Sequence, residues 1–113
     1  MEISQEQVSA IKECFGEQVS VVKEGGNTFL HIESTRIPGG IDQQPVDLLF
    51  SPGPWGGYES RLLFSRQIQT RQSRNWNTVN VRIAEKNWHA FSWRATPGLT
   101  MLQTLLLFLE AAK

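Results

Sequence analysis

The residues able to support nucleophilic chemistry are few: Cys14, His31, His89, and Ser92, which lies just beyond His89. An imidazole that takes the proton of a nearby hydroxyl leaves an oxygen nucleophile able to form an ester, which makes Ser92 with His89 the candidate catalytic pair. Strand alternation points residues three apart to opposite faces, so this pair needs a local bulge to meet. Cys14 sits between Glu13 and Phe15 on the apolar side of a predicted helix. A reactive thiol needs partial exposure and an electropositive neighbour, so Cys14 reads as a small core residue. The two histidines and the cysteine show none of the close spacings that build zinc sites, and no metal or other cofactor is expected. Gly25-Gly26 and Gly56-Gly57 lack the spacing and the Lys-Ser/Thr of a phosphate loop. Asp42 and Asp47 flank Pro45 in or beside a loop and read as solvated surface.

Binding chemistry is better represented. Trp55 and Tyr58 lie in a Gly-Pro loop, Trp76 in a polar stretch, and Trp88 and Trp93 on either side of His89 and Ser92. Rings in loops give large contact area at small entropic cost. With Arg71, Arg74 and Arg82 close in sequence, these aromatics are the candidate partner-binding residues. The competing reading has Trp88, Phe91 and Trp93 packing the end of a small sheet. Stacking on rings beside arginines also suits single-stranded nucleic acid. That is the weaker alternative, since no RNA-binding signature is present.

The charge pattern bears on the partner. The 113 residues hold 11 basic and 11 acidic side chains. Residues 1–59 carry nine acids against Lys12, Lys23 and Arg36, whereas residues 60–95 carry seven bases against Glu85 alone. Such asymmetry suits an anionic partner if the two sets stay apart in the fold. The length predicts a single domain over 1–113, and 40% hydrophobic residues exclude a disordered tail. One cysteine excludes an internal disulfide. The longest strongly apolar run, residues 105–109, falls far short of the roughly 20 residues of a membrane span. The first residues lack the basic start and apolar stretch of a signal peptide, so a cytoplasmic location is expected.

The elements that must position these residues follow from periodicity. Ser4 and Gln7 form a capping-box pattern, Ile3 and Val8 a hydrophobic staple, and Val8, Ile11 and Phe15 a helical stripe that Ala10 and Cys14 widen. A helix is predicted over 5–15, ended by Gly16. Extended patterns follow over 18–23 and 28–33, with turn residues between them, then over 46–50 and 61–65. Residues 66–77 read as a loop. Val79, Val81 and Ile83 alternate with polar residues, and the aromatic segment 88–93 reads as a final short strand. Thr100 and Gln103 repeat the capping box before an apolar helix over 101–112, expected deep in the fold. The fold class is α+β: an N-terminal helix, an antiparallel meander of about four strands, the aromatic segment and a C-terminal helix.

Taken in order, these segments resemble the ubiquitin-conjugating enzyme superfamily, in its compact bacterial branch, prokaryotic family E. The resemblance covers roughly residues 4–112. It rests on Pro38-Gly39-Gly40 leading to Val46-Asp47-Leu48-Leu49-Phe50, on Pro54 with Gly57-Tyr58, on Trp88-His89-Ala90-Phe91-Ser92-Trp93, and on Pro97-Gly98-Leu99-Thr100 opening the last helix. It implies a truncated conjugating-enzyme fold. The implied partners are a ubiquitin-like protein and a ThiF-type activating enzyme. Asn87 stands where classical members place the catalytic cysteine, and their His-Pro-Asn motif is absent. The resemblance therefore implies a non-catalytic, partner-binding member, the alternative being an ester-forming enzyme that uses Ser92.

Overall fold

Hydroxyl side chains start both helices. In the computed structural model, which describes residues 4–113, Ser4 Oγ accepts from the Gln7 N–H (3.4 Å) at the start of α1 (Gln5–Phe15). Thr100 and Gln103 form a complete capping box at the start of α2 (Met101–Ala111). Gln7 does not close the box on α1. Its Oε1 accepts from the Met101 N–H at 2.7 Å, tying the two helix N-termini together. The Ile3–Val8 staple lies outside the described residues.

The faces of both helices differ from expectation. Val8 and Ile11 are buried and Phe15 is half-buried, but Cys14 is exposed. At roughly 100° per residue Cys14 falls on the flank of that stripe, and α1 buries only a narrow face, so Cys14 is not a core residue. In α2, Met101, Leu105, Phe108 and Leu109 are buried while Leu106 is 46% exposed. The helix packs by one face and is not buried all round.

Between the helices lie, after a short 3-10 turn at Gly16–Gln18, six strands: β1 (Val19–Glu24), β2 (Asn27–Thr35), β3 (Val46–Ser51), β4 (Arg61–Phe64), β5 (Thr78–Ile83) and β6 (Lys86–Ala90). They form one antiparallel sheet in the order β1-β2-β3-β4-β6-β5. The sheet is therefore larger than a four-stranded meander. Much of the aromatic segment is strand β6, which joins β4 only at Phe64 and His89. The turn between β5 and β6 is Ala84-Glu85, with φ of 51° and 66°. A type I′ hairpin turn needs positive φ at both central residues, a demand usually met by Asn or Gly.

One sheet face takes the helices: Leu30, Ile32, Leu48, Phe50, Leu62 and Phe64 pack with Val8, Ile11, Leu105 and Phe108. On the other, Phe29, Leu49 and Leu63 pack with Ile83, Trp88 and Ala90. Burial on both faces explains the unbroken apolar runs of β3 and β4. Trp88 is 1% exposed, and its indole N–H donates to the Ile83 carbonyl (3.0 Å). It belongs to the core and offers no contact surface. Two carboxylates hold the hairpin: Glu24 accepts from the Ala84 N–H (3.1 Å), and Asp47 meets Lys86 Nζ (3.3 Å).

Neither Asp42 nor Asp47 is a merely solvated acid. Asp42 takes both guanidinium nitrogens of Arg66 (2.7 and 3.0 Å) and the N–H groups of Gln69 and Gln44. Asp47 accepts from the Ser34 N–H (2.8 Å), where β2 bulges, and lies 3.6 Å from His31 Nε2. Burial would raise the Asp47 pKa, but the Ser34 and Lys86 hydrogen bonds outweigh it and hold the carboxyl below its ordinary value. Among the described residues no helix is long and apolar enough to cross a membrane.

Candidate functional site

The site is built where the loop after β3 turns back into β4. Two prolines and three glycines keep residues 52–57 out of the sheet, and a paired bridge between Trp55 and Tyr58 (2.9 and 3.1 Å) pins the loop tip. Gly56 and Gly57 sit between them with φ of 59° and 86°, which side chains resist. Tyr58 is thereby held near the start of β4, three residues before Arg61.

Arg61 begins an apolar strand, and its side chain is drawn inside, 2% exposed. Its guanidinium donates to Thr78 Oγ1 (3.0 Å), to Asn77 Oδ1 and to the Phe91 carbonyl (3.3 Å), while the buried Nε has no partner. Among the described residues no carboxylate pairs with it. Desolvation lowers its pKa, yet a guanidinium in a protein stays charged. What faces this charge is an aromatic ring: the Arg61 guanidinium lies 4.0 Å from the centroid of Tyr58 and 5.9 Å from that of Trp55.

Tyr58 carries a second cation, Arg94, 4.4 Å from the same ring. The phenol donates to Ser92 Oγ (3.1 Å) and accepts from Asn77 Nδ2 (2.9 Å). Once ionised, the phenolate accepts from the Ser92 hydroxyl first, then from Asn77, and faces the charges of Arg61 and Arg94, all of which lower the Tyr58 pKa against the opposing effect of burial. Ser92 is exposed, and its N–H donates to the Asn75 carbonyl (2.7 Å). His89 turns elsewhere, its Nδ1 accepting from the Asn80 N–H (3.3 Å). The predicted Ser92–His89 pair is therefore replaced by Ser92–Tyr58.

A cleft of about 320 Å³ opens beside Tyr58, lined by Glu59, Ser60, Arg94, Ala95 and Pro97. Glu59, Ser60, Ala95 and Pro97 also line the next hollow, which reaches Leu99 and Thr104. Leu99 and Thr104 in turn border a third, against Gln7 and Met101. The three hollows thus share wall residues in turn between Arg94 and the joined starts of the helices.

The other predicted binding residues do not line the cleft beside Tyr58. Trp55 is half-buried near Arg61. Trp76 and Trp93 pack edge-on against Phe91 and Phe108 respectively. Arg71 donates to the Gly39 carbonyl (2.6 Å), and Arg74 to the Ala111 carbonyl (3.1 Å), where it favours the α2 C-terminus. Arg82 is exposed on β5, opposite Asn87. Arg71 and Arg74 share a hollow with Lys113 and Glu110 at the end of α2, so part of the basic segment gathers there, in a hollow that Tyr58 does not line. Arg61, Arg94 and Asn77 were absent from the sequence-based set. The available signal was an arginine heading a run, Leu62-Leu63-Phe64, that had to be buried. Among the described residues no three metal-ligating side chains converge. Comparison with protein-family models, curated proteins and solved structures finds no match to this chain.

Proposed function

We propose that the chain is a non-catalytic ubiquitin-conjugating-enzyme-like protein of a bacterial ubiquitin-like modification system, binding a ubiquitin-like protein, a ThiF-type activating enzyme, or both. The observation that carries this reading is the polar closure at Ser92. In the segment that resembles the family's catalytic region, the hydroxyl is held by Tyr58 and the histidine by a backbone N–H, so no nucleophile and base face each other. The segment borders open hollows, a feature that serves binding. Support also comes from α1 followed by four strands paired in chain order, the arrangement that the resemblance implies.

A second reading draws on the same contact. Tyr58 lies 3.1 Å from Ser92, so a hydroxyl-dependent, ester-forming enzyme would use Tyr58 in its phenolate form, with the hydrogen bond reversed, to take the Ser92 proton in place of His89. Incubation with activating enzyme, ubiquitin-like protein and ATP separates the two. Co-elution with a partner and an unchanged intact mass are expected. A hydroxylamine-labile adduct that disappears in Ser92→Ala establishes the enzyme instead, and failure to bind either protein overturns both readings.

A further inference from the structure

The β5–β6 hairpin is fastened at few points. It joins the other strands through the single Phe64–His89 pair, and its inner residues Ile83, Trp88 and Ala90 pack with Phe29, Leu49 and Leu63. Its tip is held by Glu24 on the Ala84 N–H and by Asp47 on Lys86. Against Trp88 lies His31, on β2 between Ser20 of β1 and Leu49 of β3, its ring edge-on to the indole at 5.6 Å between centroids. The His31 Nε2 is buried and has no hydrogen-bond partner, a rare state for a buried polar atom. Asp47 Oδ2 lies 3.6 Å from it, and the same oxygen is 3.3 Å from Lys86 Nζ. Asp47 Oδ1 is occupied by the Ser34 N–H. One carboxylate oxygen thus stands between an imidazole in the sheet and an ammonium on the hairpin.

We propose that His31 keys an acid-released clasp: protonation of its imidazole draws Asp47 Oδ2 to Nε2, expels Lys86 and loosens the β5–β6 hairpin from the sheet. The proton comes from solvent and returns to it, and no other bond changes. Imidazole is the side chain whose charge ordinarily changes between about pH 5 and pH 8. With both ring nitrogens protonated, Nε2 becomes a charged donor beside a carboxylate, and two cations compete for one oxygen. The contest is unequal. The His31 side chain is 13% exposed and fixed by its strand, whereas Lys86 is 53% exposed on a flexible stem and can carry its charge into water. Repulsion between the two cations acts the same way. By register and alternation, the other charged groups on this side of the sheet are Glu24, Glu33 and Arg61, with Glu85 in the hairpin turn. Glu24 holds the Ala84 N–H, Arg61 is turned to Thr78 and Asn77, and Glu33 and Glu85 are exposed without an ion pair among the described residues. Asp47 and Lys86 are therefore the charges that meet the imidazole. The clasp stands apart from the protein-binding reading above and does not depend on it.

The test is an NMR titration of the isotope-labelled full chain between about pH 8 and pH 5, the range of imidazole titration. Hydrogen exchange of the β5–β6 amides and of the Trp88 indole N–H, which donates to the Ile83 carbonyl, is compared at each end with that of the β3 amides, after correction for intrinsic rates. The His31 ring and the Lys86 side-chain signals are expected to shift with one midpoint. Hairpin protection relative to β3 should fall about two- to fivefold on the acid side, the span of a partly exposed ion pair. His31→Gln keeps a polar side chain that cannot take the charge and should remove the pH dependence, and Lys86→Gln should give the lower protection at both ends. His89 is the other imidazole on the hairpin, its Nδ1 accepting from the Asn80 N–H, so the dependence must persist in His89→Gln. A His31 ring that keeps one charge state across the range, a Lys86 signal indifferent to it, protection that is constant or rises in acid, or an equal fall in β3 each overturns the inference. So does a dependence that survives His31→Gln or is lost in His89→Gln, or full protection in Lys86→Gln. The wild-type titration decides by itself if a variant fails to fold.

Discussion

The Gln7 side chain accepts the backbone N–H of Met101 at 2.7 Å, across 94 residues of sequence. A side chain on the first turn of one helix thus satisfies a donor that the first turn of the other leaves open. Gln7→Ala should therefore cost about 1 kcal/mol, the typical worth of such a bond, and loosen both N-termini together. Gln7→Glu keeps an acceptor and adds favourable charge at two helix N-termini, so it should be neutral or stabilising by a few tenths of a kcal/mol, on the order of an exposed dipole contact. Urea unfolding of both variants checks the order. Equal losses in the two would exclude the bridge.

Asp42 ties residues 42–44 to the loop at 66–69, and its hydrogen bonds with Arg66, then with Gln69, hold its carboxyl well below the usual carboxylate range. A carboxyl depressed in the folded state contributes stability that is complete above its unfolded pKa, near 3.9, and is lost as the pH falls below that. Asp47, also lowered, acts in the same direction. Asp42→Asn should cost about 1–3 kcal/mol at neutral pH, toward the lower end because Arg66 is 38% exposed and screened. It should also flatten the decline in thermal midpoint between about pH 4.5 and pH 2. An unchanged acid limb in this variant would assign the decline to other carboxyls.

Cys14 lies on the outer side of α1. It should react with a thiol reagent in the native protein as fast as in urea-unfolded chain, within about an order of magnitude, since exposure governs access. Cys14→Ser should change stability by no more than about 0.5 kcal/mol, the range of surface substitutions. Protection of the thiol until global unfolding would return it to the core.

The local grammar of this fold was legible where a side chain's chemistry acts within one turn. Ser4, Gly16 and Thr100 marked helix boundaries because caps are local, and alternation marked β5, although only Val81 and Ile83 face inward, since the strand is irregular at Asn80 and Val79 is exposed. What stayed illegible depends on distant partners. The β5–β6 hairpin turns through Ala84-Glu85, residues that carry no turn signal, and is held by Glu24, so both its turn and its docking are tertiary. Trp88 reads the same in sequence whether it faces a partner or Phe29, Leu49 and Leu63. Ser92 and Tyr58 are 34 residues apart, and no spacing rule joins them.

Arg61 gives the sharpest test of the site's construction. Its planar fork reaches Thr78, Asn77 and the Phe91 carbonyl at once, and its face lies on Tyr58. Lysine keeps the charge but loses the fork and the stacking plane, and buries an ammonium with no carboxylate to receive it. Arg61→Lys should therefore cost about 2–4 kcal/mol, combining lost charged hydrogen bonds with an unpaired buried charge. Arg82→Lys, on the exposed side of β5, should stay within about 0.5 kcal/mol. Arg61→Met removes the charge altogether and leaves three acceptors unpaired, so it should fall between these two. Unfolding free energies of the three variants decide the order, with tyrosine fluorescence titration reporting whether Tyr58 returns toward its ordinary pKa in Arg61→Met. If Arg61→Lys is as mild as Arg82→Lys, the guanidinium is not what holds the loop, β4 and Phe91 together.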